Sequence, residues 1–129
     1  MDIMRGWFYL ADLNPRRGTE PGKTRPVLVI QTDLLTGAGH PSCIILPLTT
    51  QIQNNAEPLR VHIPASHPGF DIASDVMIDQ IRAIDNQRLY RGDANELIKK
   101  ISLIDQDILR DIERCLLLVL DLNHKNKPY

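Results

Sequence analysis

Short apolar runs alternate along the chain with stretches rich in glycine, proline and polar residues, and each run carries a pattern that selects an element. Trp7-Phe8-Tyr9-Leu10-Ala11-Asp12-Leu13 is aromatic and apolar and is broken by Asn14-Pro15, which predicts a strand running into a loop. Within that loop Gly18, Pro21 and Gly22 follow in close succession and disfavour helix and sheet interior alike. Pro26-Val27-Leu28-Val29-Ile30 is β-branched and unbroken, as in a strand buried on both faces. A turn-rich stretch from Thr36 to Pro41 leads to Cys43-Ile44-Ile45-Leu46-Pro47-Leu48, a further strand expected to fray at Pro47.

Gln51 to Pro58 is polar and loop-like. Arg60-Val61-His62-Ile63 then alternates as a half-exposed edge strand does. Pro64 to Gly69 is a turn cluster, and Val76 to Ile84 supplies the next strand, with apolar positions that change parity between Ile78 and Ile81. From Asn95 onward Leu97, Ile101, Ile104, Ile108, Ile112, Cys115 and Val119 recur three or four apart and predict an amphipathic helix. That helix is firm from Asp105, a suitable N-cap, whereas Lys99 to Leu103 reads equally as a short strand. The apolar run Cys115 to Leu120 is wider than one core-facing stripe needs, so part of it is expected under the sheet or in a contact between copies. Residues 1–122 read as a single domain and 123–129 as a loose polar tail. Many short strands before a terminal helix point to a bent antiparallel sheet or small barrel with the helix packed against it.

At 129 residues the chain has room for one hydrophobic core. No apolar run approaches the roughly 20 residues that span a bilayer. The first residues lack a basic start followed by an apolar stretch, so no secretory signal is read and the cytoplasm is the expected compartment. In that compartment Cys43 and Cys115 are expected to be buried free thiols. A net charge of −1 argues against a globally basic nucleic-acid binder. The distribution changes that picture: Arg5 to Arg25 holds five cations against two acids, while Asp71 to Asp121 holds eleven acids against seven bases. Charge alone reads as two solvated faces.

His40, His62, His67 and His124 are scattered, with no metal-ligand spacing, and the usual cofactor and phosphate-loop motifs are absent; no metal or cofactor is expected. What remains is a flexible loop with Arg16, Arg17, Glu20 and Lys23 that delivers Arg25 at the mouth of a buried strand. Because Arg25 precedes a proline its backbone is biased to extended geometry, and a guanidinium so held can grip a phosphate with two hydrogen bonds. It is equally read as a strand-end charge that keeps an edge soluble. Thr49-Thr50, at the end of the following strand, reads first as a strand terminus.

Several ordered motifs are more specific. Arg5-Gly6, Asp12-Leu13-Asn14-Pro15, Gly18-Thr19-Glu20, Gly22 and Arg25-Pro26-Val27-Leu28-Val29-Ile30-Gln31 resemble the signature of the MazF/PemK toxins. Pro47-Leu48-Thr49-Thr50-Gln51 resembles the second family motif, and Asp79-Gln80-Ile81-Arg82-Ala83-Ile84-Asp85 with Arg88-Leu89 the third. The resemblance implies an SH3-like antiparallel barrel of the CcdB/PemK type, a homodimer with an RNA groove along its interface, and a cognate antitoxin, with operator DNA met only through the antitoxin complex. It implies Arg25 and Thr49 as the catalytic pair, and Thr19, Glu20, Lys23, Gln51 and Gln80 as substrate contacts. Trp7 stands where the family often has an acid, and Pro21 follows Glu20 where a glutamine is common, which bears on the bases accepted.

The implied activity is metal-independent cleavage of single-stranded RNA, in which the ribose 2′-hydroxyl attacks and leaves 2′,3′-cyclic phosphate and 5′-hydroxyl ends. Arg25 would stabilise the phosphorane, Thr49 would position or relay a proton, and Glu20 is the candidate general base. Two other readings exist: a CcdB-like toxin that binds and inhibits a protein such as DNA gyrase, and a plain SH3-like interaction module.

Overall fold

Strand β3, Ser42–Thr49, is the spine of the molecule, because three other strands pair along its length. The computed structural model describes residues 2–92 and 95–122, so the polar tail expected over 123–129 lies outside the described residues. On one side β3 meets β2, Thr24–Val29, which pairs in turn with β1, Trp7–Asp12, and β1 with β7, Lys100–Leu103. On its other side β3 meets β6, Arg82–Asp85, over its first half and β5, Ser74–Met77, at its end. β4, Arg60–Ile63, pairs among the described residues with β5 alone and forms the expected edge. All pairings are antiparallel.

The sheet curls so that its central strands are covered on both faces. Phe8, Leu28, Leu46 and Leu48 pack into one core with Val61, Val76 and helix α2, Gln106–Val119. Their sequence neighbours Tyr9, Val27, Val29, Cys43 and Ile45 point the other way into a second core with Ile3, Leu13, Ile84 and Leu89. Alternate side chains of a strand face opposite ways. Two cores therefore explain why β2 and β3 read as unbroken apolar runs.

Two expectations need correction. β3 does not fray at Pro47: it continues to Thr49, and Pro47 is buried. Pairing with β6 ends at Ile45 and pairing with β5 begins at Leu48, so the missing proline N–H falls where no ladder bond is asked of it. The stretch Val76 to Ile84 is two strands rather than one, separated by a 3-10 turn over Ile78–Gln80. The parity change between Ile78 and Ile81 is the trace of that turn.

The turn-rich stretch before β3 holds a short helix α1, Asp33–Gly37, capped by the Thr32 side chain. Lys100 to Leu103 resolves as strand, not helix, and Asp105 caps α2 by accepting from the Asp107 and Ile108 N–H groups. The Asp105 N–H is itself received by Nε2 of the buried His67, whose Nδ1 donates to the Pro68 carbonyl. Leu109, Ile112 and Cys115 form the buried stripe of α2, whereas Leu117, Leu118, Leu120 and Leu122 stay exposed. Cys43 and Cys115 are free and buried, as expected. Among the described residues no helix is long and apolar enough to cross a membrane.

Candidate functional site

The loop between β1 and β2 is pinned at its neck. The Leu13 N–H donates to the Lys23 carbonyl at 2.9 Å, and the Lys23 N–H donates to Oδ1 of Asn14 at 2.9 Å. Lys23 adopts φ +66°, a region that non-glycine residues rarely enter, so the turn is held by these bonds. Arg88 braces the same neck from below, with Nη1 donating to the carbonyls of Asp12 and Asn14. At Gly22 a Cβ would come within 2.7 Å of the Arg16 Cβ, so only glycine fits where the returning chain crosses the outgoing one.

This neck fixes Arg25. Its Nε donates to the Gly22 carbonyl at 2.7 Å and its Nη1 to the Leu48 carbonyl at 3.2 Å, clamping the guanidinium between loop and β3. Burial lowers the Arg25 pKa from its ordinary value, and the nearby charge of Arg16 lowers it further. The guanidinium is thus partly stripped of water beside a second cation, an arrangement that an incoming anion relieves.

Thr49 ends β3, and its Oγ1 accepts from the Gln51 N–H at 3.2 Å. β2 and β3 pair Val27 with Pro47, and the same register carried on by two residues sets Arg25 opposite Thr49. Cross-strand partners share a face, so both side chains meet on one surface.

All seven residues singled out from the sequence line one cleft of about 690 Å³. Thr19, Glu20 and Lys23 come from the loop, Arg25 from β2, Thr49 from the end of β3, Gln51 from just beyond it, and Gln80 from the 3-10 turn. Glu20 is within 3.8 Å of Arg82, which places the loop carboxylate against β6. Among the described residues the lining holds four cations, Arg16, Lys23, Arg25 and Arg60, against the single acid Glu20. The net charge of the chain hid this, because the acids are displaced toward the C-terminal half. A cleft so biased raises the local concentration of anions.

A family model for the PemK-like, MazF-like toxin of type II toxin-antitoxin systems matches residues 4–120. The chain belongs to this family. Its likeness to Endoribonuclease EndoA of Bacillus subtilis (strain 168) is 38% identity over 122 residues, covering 95% of this chain and 97% of that one. Solved structures agree on the fold. MazF from Deinococcus radiodurans (Form-I) superposes with a TM-score of 0.72 at 22% identity, covering 92% of this chain and 96% of that chain. An endoribonuclease in complex with its cognate antitoxin from Mycobacterial species gives 0.66 at 18%, covering 93% and 94%. These matches bear out the curled antiparallel barrel with a C-terminal helix expected of a PemK/MazF chain.

Sequence reasoning missed two contributors to this PemK/MazF cleft. Arg60 reaches in from β4, with Nη1 donating to the Gln51 carbonyl at 3.2 Å and to Oδ2 of the buried Asp75 at 3.3 Å. The alternation around Arg60 predicted its strand but not which side of the fold that strand would border. Arg88, quoted within a motif, had no assigned task, and only the fold brings it to the neck of a loop more than seventy residues earlier.

Proposed function

We propose that this PemK/MazF-family toxin is an endoribonuclease that cleaves single-stranded RNA without a metal. The observation that carries the reading is the clamped Arg25 guanidinium set opposite Thr49 in a cation-lined cleft. The name of its Bacillus relative, an endoribonuclease, supports it.

In this reaction the 2′-oxygen attacks the adjacent phosphorus, the bond to the 5′-oxygen of the next nucleotide breaks, and a 2′,3′-cyclic phosphate forms. The attacking hydroxyl gives up a proton and the departing 5′-oxygen takes one. Because the substrate supplies its own nucleophile, neither a protein nucleophile nor a metal-bound hydroxide is required. Arg25 stabilises the extra charge on the phosphorane oxygens, a role worth about 3 to 4 kcal/mol for a single donor of this kind. Thr49 donates to or orients the scissile phosphate, and Glu20 accepts the 2′-hydroxyl proton. A carboxylate is the better base of the two, since a threonine hydroxyl ionises far outside the working range. Thr19, Lys23, Gln51 and Gln80 contact the RNA around this centre.

The protein acts in the cytoplasm as a homodimer held in part by the exposed leucines of α2, and is neutralised by a cognate antitoxin, through which alone it meets operator DNA. A similar mycobacterial structure pairs an endoribonuclease with its antitoxin. The family match does not favour the gyrase-poisoning alternative, which also leaves the Arg25 and Thr49 arrangement without a use. Incubation with single-stranded RNA in excess chelator tests the proposal: wild type cleaves and Arg25→Ala does not, whereas persistence of cleavage in the variant overturns it.

A further inference from the structure

Beyond Thr49 the same cross-strand row continues. Thr49 pairs with Asp75 on β5, and Asp75 pairs with His62 on β4, so Arg25, Thr49, Asp75 and His62 stand side by side across four strands. Adjacent strands are about 4.8 Å apart, which puts His62 about 10 Å from Thr49. That is too far to share the scissile phosphate and close enough to meet a neighbouring nucleotide of the same strand.

Asp75 is 1% exposed and fully engaged. Its Oδ2 accepts from the Gln53 N–H at 2.9 Å and from Arg60 at 3.3 Å, and its Oδ1 lies 3.2 Å from Nδ1 of His62. A carboxylate accepting at every contact fixes the histidine proton on Nδ1 and locks the ring plane. The His62 side chain is nevertheless 53% exposed, so a buried anchor holds an open aromatic face. Such a costly arrangement is not needed merely to finish an edge strand.

The ring lines a second cleft of about 460 Å³ together with Gln53, Asn54, Asn55 and Arg60. Arg60 lines both clefts, so the two adjoin at its side chain. Single-stranded RNA is read by splaying a base onto an aromatic or guanidinium plane and hydrogen-bonding its edge. The second cleft holds both components: the ring of His62 with the guanidinium of Arg60, and side-chain amides that donate and accept.

We propose that this second cleft is a base-recognition subsite for the nucleotide flanking the scissile phosphate, with His62 as its stacking platform and Asn54 as a reader of the base edge. The inference rests on the endoribonuclease reading and deepens it by locating a determinant of cut-site sequence. Asp75 acts through His62 as a positioning residue.

The test is cleavage of a randomised single-stranded RNA pool by wild type, His62→Ala and Asn54→Ala, with sequencing of the cut sites and melting temperatures recorded for all three. Wild type should prefer one base at a flanking position by about tenfold, the order expected of one stacked base. Each variant should lose that preference at that position alone while the other positions keep theirs. A merely structural role would lower rates on all sequences alike. Wild-type preferences retained in both variants, or a wild type without flanking preference, would overturn the subsite and leave the ribonuclease reading standing; failure of wild type to cut any RNA would overturn both.

Discussion

Arg25 donates through Nη1 to the carbonyl of Leu48, the residue directly before Thr49. One hydrogen bond thus couples the position of the guanidinium to that of the threonine, and a second, to Gly22, couples it to the loop. Lysine cannot reproduce this, because its single ammonium lacks the rigid fork that makes both bonds and still faces a phosphate. Arg25→Lys is expected to retain the fold while lowering kcat by about a hundredfold or more, measured on an RNA cut by wild type.

Thr49 is open to a finer dissection. Its Oγ1 already accepts from the Gln51 N–H, leaving the hydroxyl proton free for a phosphate oxygen. Thr49→Ser keeps that donor and should stay within about tenfold of wild type, whereas Thr49→Val keeps the shape and should lose about a hundredfold in kcat. Equal activity in the two variants would remove the hydroxyl from the mechanism.

Much of this arrangement was readable along the chain, for identifiable reasons. β-branched runs marked β2 and β3 because two cores sandwich them, and six of the seven site residues fell within local motifs of a few residues each, with Lys23 in the loop between two of them. Pro47 and Ile78 to Ile81 misled because a strand that changes partner, and a turn inserted between two strands, are properties of the sheet rather than of the segment. Arg60 and Asp75 escaped because their partnership joins residues fifteen apart, on neighbouring strands whose pairing no local pattern announces.

Alkaline stability should report on Tyr9. Its hydroxyl accepts from the Met4 N–H at 2.8 Å and donates to the Asp2 carbonyl at 2.7 Å, and burial is the main cause that raises its pKa from 10.0 to about 12. The folded state favours the protonated phenol, so this contribution is complete below pH 10 and is lost as the pH climbs toward 12. It is on the order of a few kcal/mol, at roughly 1.4 kcal/mol per pH unit. Tyr9→Phe should be less stable at neutral pH by about 1 to 3 kcal/mol and should show a shallower fall in stability over that alkaline window, measured by denaturant unfolding.

The two thiols should be inert in the native protein. Burial pushes Cys43 up to about 11 and raises Cys115 as well, and both are fully covered. A thiolate is the reactive form. A water-soluble disulfide reagent at mildly alkaline pH should label neither until denaturant is added.

The leucines of α2 give the proposed homodimer a direct test. Leu118 is 55% exposed and adds nothing to the core of its own chain. Leu118→Asp should leave the monomer fold intact by circular dichroism and shift the species seen by light scattering from dimer to monomer. An unchanged dimer would place the interface elsewhere.

The central claim is that the substrate's own 2′-hydroxyl is the nucleophile, and one measurement addresses it most directly. A cut site mapped with wild-type protein is resynthesised with a single 2′-deoxynucleotide immediately 5′ of the scissile phosphate, and both RNAs are incubated in excess chelator with analysis of the product ends. The account predicts 2′,3′-cyclic phosphate and 5′-hydroxyl ends from the all-ribose RNA and no cleavage at the substituted site; cleavage of the deoxy-substituted RNA at that phosphate would contradict it.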